Sequence, residues 1–141
     1  MSDEVTIPVP TADQPAAEKK DEEQAMGTRV MYLLLRKDLE TALKWPVGAI
    51  CTQAAHAATA CLWTFKDDPE VIAYCKDLDH MHKITLAVES EDRLMEFAKR
   101  LEAASVQHSV WIEDNMPVCI AIKPQPRAPL KSLLGRLQLY K

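Results

Sequence analysis

The sequence predicts an α/β fold, a three-layer α-β-α sandwich around a four-stranded mixed sheet. Three observations lead there. Val30 to Leu35 is apolar at every position, as a central strand covered by helices on both sides must be. Helical patterns stand between the first three strand-like segments, which implies parallel pairing through right-handed crossovers. A four-residue link, Asp114 to Pro117, precedes the last strand-like segment and implies a local antiparallel pair.

The elements follow in the order β-α-α-β-α-β-β-α. Val30 to Leu35 is the first strand, and Arg36-Lys37-Asp38-Leu39 leaves it as a loop. Pro46, suited to a first helical turn, opens a long helix that runs to about Phe65 and holds six alanines. Its stripe of Ile50, Ala54, Ala57, Cys61 and Phe65 is narrow and small, so the helix can lie close on a sheet. Asp68-Pro69-Glu70 combines a cap residue, a first-turn proline and an acid favoured by the helix dipole. Val71, Cys75 and Leu78 supply that helix's apolar face. Lys83 to Val88 alternates and reads as a strand. Ser90 caps a helix with Leu94, Phe97, Ala98 and Leu101 on one side. Val106 to Ile112 alternates again, Val118 to Ile122 is the last strand, and a helix spans about Pro129 to Arg136.

Residues 1–27 carry three prolines and too little apolar surface to offset ordering entropy, so they are expected to be a disordered acidic tail before a domain at 28–141. Residues 1–26 hold seven acids and two lysines, whereas 27–141 hold 15 basic and 14 acidic residues. The domain is therefore close to neutral, but residues 115–141 hold five cations (Lys123, Arg127, Lys131, Arg136, Lys141) and no acid. Only three glycines are present, at 27, 48 and 135, which excludes P-loop and GxGxxG nucleotide sites. No apolar run approaches the roughly 20 residues that span a bilayer, so no membrane partner is expected. Four cysteines without a CxxC pair, after an N-terminus lacking a basic and apolar leader, point to free buried thiols in a reducing cytosolic or nuclear compartment, with a cytoplasmic location expected.

The polar residues that could carry chemistry are few. Arg36 and Asp38 stand at a strand's carboxyl end and Glu113 ends another; ligands of open α/β sheets bind at such ends. Gln53 and His56 share a face of the alanine-rich helix at i, i+3. An imidazole can act as base or acid near neutral pH. More commonly, such a histidine is a packing residue satisfied by a neighbour. Arg36 and Asp38 could equally do no more than pair across a turn. Trp45, Trp63 and Trp111 could stack on bases, although tryptophan is more often a core or cover residue. Cys75, His80 and His82 lack a fourth ligand at suitable spacing, so no metal site is expected.

Four strings resemble the type II peptidyl-tRNA hydrolases: the strand ending Arg36-Lys37-Asp38-Leu39, Gln53-Ala54-Ala55-His56-Ala57, Ala121-Ile122-Lys123-Pro124, and Leu137-Gln138-Leu139-Tyr140-Lys141. Trp45-Pro46-Val47-Gly48-Ala49, Gln53 to Ala60 and Trp111-Ile112-Glu113 resemble a divergent branch of that family, the peptidyl-tRNA hydrolase domain-containing proteins. The resemblance implies an α-β-α fold, no cofactor, tRNA or peptidyl-tRNA as partner, and hydrolysis of the peptide–tRNA ester that recycles tRNA. It implies His56 as base, Glu113 as its partner or second acid–base group, and Arg36 near the oxyanion or terminal phosphate, with Asp38 and Gln53 beside them. Lys123, Arg127 and Lys131 would contact the tRNA backbone. Three departures bear on activity. Ala49 stands where these hydrolases carry a lysine, Val118 where they carry a threonine, and the loop before the last strand is short. The alternative is a catalytically degenerate relative that binds tRNA or a protein, with a homodimer also left open.

Overall fold

The computed structural model describes residues 28–141, and the expectation for the tail lies outside them. The chain forms β1 (Arg29–Arg36), α1 (Asp38–Thr41), α2 (Val47–Thr64), α3 (Pro69–Lys76), a 3-10 turn at Leu78–His80, and β2 (Lys83–Val88). It continues through α4 (Glu91–Ala103), β3 (His108–Glu113), β4 (Met116–Ile122), β5 (Gln125–Pro126), a 3-10 turn at Ala128–Leu130 and α5 (Lys131–Leu134).

The main sheet has the order β2-β1-β4-β3, with β1 and β2 parallel and β4 antiparallel to both its neighbours. The short β5 adds antiparallel pairing at Arg29 and Val30. The alternation of side chains along β1 builds two cores. Val30, Tyr32 and Leu34 pack with Leu94, Phe97 and Leu101 of α4 and with Leu130 and Leu134. Met31, Leu33 and Leu35 pack with Ile50, Ala57 and Cys61 of α2 and Tyr74 of α3. Each large apolar side chain buried this way contributes about 1.5–3 kcal/mol. The three layers are therefore those the apolar first strand implies.

Both predicted side-chain caps form. Asp68 Oδ1 accepts from the Glu70 N–H at 2.9 Å, and Ser90 Oγ accepts from the Arg93 N–H at 3.2 Å. Other local expectations are corrected. Arg36 to Leu39 is not simply a loop: Leu39 turns fully into the core, and the Lys37 carbonyl accepts from the Glu40 and Thr41 N–H groups to start α1. Leu78 is 70% exposed because α3 ends at Lys76, and Tyr74 fills the core in its place. The β3–β4 link is two residues rather than four. Asp114 and Asn115 have φ of 48° and 63°, the paired positive values of a tight hairpin turn, and short polar side chains tolerate them. β4 therefore begins at Met116. Its Pro117, which offers no N–H, sits opposite Ile112 where the register shifts after Trp111. The last helix is short: Gly135, at φ 54°, ends it. Beyond it, the Ala87 N–H donates to the Gln138 carbonyl and the Tyr140 N–H to that of Thr85, which covers part of the β2 edge.

Candidate functional site

The site grows from the carboxyl end of β1. There Arg36, only 4% exposed, points a buried guanidinium that must be paired. Its Nε and Nη2 donate to the two oxygens of Asp38, each at 2.9 Å, and its Nη1 donates to the Pro117 carbonyl at 3.1 Å. Hydrogen bonding to Asp38 holds this guanidinium above its ordinary pKa despite burial. The pair ties the end of β1 to the start of β4.

Pro117 stands opposite Ile112, between Trp111 and Glu113. The Trp111 Nε1–H, an indole's single donor, is shared between Gln53 Oε1 at 3.0 Å and Glu113 Oε2 at 3.1 Å. Gln53 is buried on α2 and donates its Nε2 to the Ala49 carbonyl at 3.1 Å. His56, one turn on and exposed, stacks on the Trp111 ring with centroids 4.5 Å apart and planes 15° from parallel. One tryptophan thus holds the amide, the carboxylate and the imidazole around it. Ala49, Gln53 and His56 form a single stripe of α2 facing β3.

On the other flank of α2 lies a cleft of about 610 Å³, lined by Leu35, Trp45, Ile50, Cys51, Ala54 and Tyr140. Its rim is closed by Tyr140, whose Oη donates to Glu40 at 3.0 Å while the Lys37 ammonium lies 4.3 Å from the Tyr140 ring. Among the described residues no group of three or more His, Cys, Asp and Glu side chains is arranged to hold a metal ion.

Of the residues singled out by sequence, Arg36, Asp38, Gln53, His56 and Glu113 all come to this end of the sheet. They form two groups rather than one, with β4 between them. The three cations do not join them. Lys123 follows the end of β4, roughly 17 Å along β1 from Arg36. Its ammonium is engaged by Asp68 at 2.7 Å and Gln107 at 2.6 Å. Arg127 donates to the Tyr32 hydroxyl at 3.2 Å, and with Lys131 it borders a hollow of about 520 Å³ on the α4 face. Trp111, read from sequence as a stacking or cover residue, is the organiser of the site. The signal was available: Trp111 and Glu113 are two apart on an alternating strand and therefore share a face.

The family model described as "Peptidyl-tRNA hydrolase PTH2" matches residues 29–140. The chain is 41% identical over 115 residues to the human protein named "Putative peptidyl-tRNA hydrolase PTRHD1", covering 79% of this chain and 82% of that one. It is 40% identical over 115 residues to the mouse protein of the same name, with the same shares covered.

Proposed function

This chain belongs to the PTH2 family of peptidyl-tRNA hydrolases, and from that premise we propose that it hydrolyses the ester joining a peptide to the 3′ end of tRNA, using the Trp111-centred cluster. The observation that carries this reading is the shared indole N–H, which holds Glu113 beside the α2 stripe of Ala49, Gln53 and His56. In the proposed reaction, His56 takes a proton from water as the water oxygen bonds to the ester carbonyl carbon. The bond from that carbon to the ribose oxygen then breaks, and the imidazolium returns the proton to the ribose oxygen. Glu113, held by the same indole N–H, is the second acid–base group of the cluster. Gln53 positions Trp111. The tRNA would be the partner, in the cytoplasm, with phosphate contacts supplied by Arg127 and Lys131; Lys123 would first have to leave Asp68.

Stabilisation of the oxyanion is the weak part. Arg36 is engaged by Asp38 and Pro117, Gln53 Nε2 by the Ala49 carbonyl, and Ala49 offers no cation. One such stabilising donor is worth about 10²–10³ in rate. That vacancy favours a second reading, a relative that binds peptidyl-tRNA and turns it over slowly or not at all. Hydrolysis of peptidyl-tRNA by wild type, His56→Ala and Ala49→Lys separates them. The hydrolase reading expects slow turnover, a loss of about 10²–10⁴ in His56→Ala, and a gain in Ala49→Lys, whose ammonium would enter the stripe one turn before Gln53. Folded proteins with no turnover in wild type and none in Ala49→Lys would leave the binding reading.

A further inference from the structure

Helix α2 has no charged residue in its 18 positions, yet much of it faces solvent. A surface helix ordinarily turns charges outward. α4 does so, exposing Asp92, Glu96, Lys99, Arg100 and Glu102. The outer face of α2 instead presents small residues (Thr52, Ala55, Thr59) and the exposed Trp63 ring, with exposed His56 at its edge toward β3. Trp63 is 70% exposed, although tryptophan is highly buried on average. The Lys66 ammonium lies over its ring at 4.3 Å from the centroid. Trp63 follows His56 by seven residues, so the two positions lie about 10 Å apart along one side of the helix. That rise equals about three stacking steps of roughly 3.4 Å.

We propose that Trp63, with Lys66, forms a stacking platform on α2 for the single-stranded 3′ end of the RNA substrate, leading its terminal ribose toward His56 and the Trp111 cluster. The proposal rests on the hydrolase-family reading of that cluster. A base has a flat π-face for Trp63, and Lys66 supplies a cation for the adjoining phosphate. The neutral face between the rings has no carboxylate to repel the backbone, and its small side chains let the backbone approach closely. A protein partner fits less well, because interface anchors cluster and Thr52, Ala55 and Thr59 add no second large side chain beside Trp63.

The test is the affinity of a fluorescently labelled single-stranded oligoribonucleotide with the tRNA 3′-terminal sequence, measured by anisotropy at low salt. No ester is present, so the measurement is independent of catalysis. Trp63→Ala should weaken binding by about 5- to 100-fold, Trp63→Phe should retain most of it, and Leu78→Ala, exposed elsewhere, should leave it unchanged. A fully paired duplex should bind with no dependence on Trp63. The proposal is overturned if wild type does not bind the single strand, if Trp63→Ala binds as wild type, or if Trp63→Ala loses only a protein partner. Trp63-dependent binding without hydrolysis would overturn the chemical reading and leave the platform standing. Hydrolysis without Trp63 dependence would do the reverse.

Discussion

The imidazole of His56 lies on the indole of Trp111, with ring centroids 4.5 Å apart and planes within 15° of parallel. Because the same indole donates its N–H to Gln53 and Glu113, one side chain couples the orientation of three polar groups from a helix and a strand. Changes at this tryptophan can therefore be separated into ring effects and N–H effects.

Trp111→Phe keeps a ring for His56 and removes the donor. Gln53, 5% exposed, then holds an unpaired amide oxygen. A loss of about 1–3 kcal/mol is expected, visible as a lower midpoint in urea unfolding. An unchanged midpoint would mean that the indole N–H does not hold Gln53 in solution.

Glu113→Gln retains an oxygen that can accept the Trp111 N–H, so unfolding should be close to wild type. Hydrolysis should fall by roughly 10²-fold or more as the second acid–base group of the cluster is lost. Equal rates for the two proteins would remove Glu113 from the chemistry.

Asp38→Ala strips the buried Arg36 guanidinium of both carboxylate bonds and leaves only the Pro117 carbonyl. Breaking a buried pair by removing one partner costs about 3 kcal/mol or more. Asp38 is partly exposed, which places the expectation at that lower bound. Asp38→Asn, which keeps one acceptor, should cost less. The comparison is made by thermal and urea unfolding.

Stability should fall on the alkaline side. Burial pushes the thiol of Cys61 up to about 11 and that of Cys119 to about 12, from an ordinary 9.0. Burial raises Tyr74 to about 12, and burial with the Glu40 hydrogen bond raises Tyr140 to about 12, from an ordinary 10.0. In each case the unfolded chain loses its proton first. The stabilisation is complete below about pH 9 and is lost as pH rises toward 11 to 12. Urea midpoints across that range should decline, and Cys119→Ala should flatten part of the decline. Alkylation near neutral pH should label Cys51, which is exposed, well before Cys61 or Cys119.

Local chemistry determined much of this protein from sequence alone. The unbroken apolar run from Val30 to Leu35 can be satisfied only between two helical layers, and Asp68 and Ser90 mark helix starts because their oxygens satisfy orphan N–H groups. The motifs around Arg36, Gln53, His56 and Glu113 are legible as family features, and the order of the four main strands and the longer helices follows from periodicity, whereas α1 and β5 do not. Tertiary structure decided which polar groups meet. Arg36 and Glu113 both end strands, yet one turns to Asp38 and the other to Trp111, since partner choice depends on which sheet face each side chain leaves. Lys123, Arg127 and Lys131 are neighbours in sequence but are divided by β5 and the turn after it: Lys123 pairs with Asp68, Arg127 with Tyr32. Trp111 became the organiser only when α2 settled across β3. That contact joins residues 58 apart in the chain, and periodicity, which is local, carries no record of it.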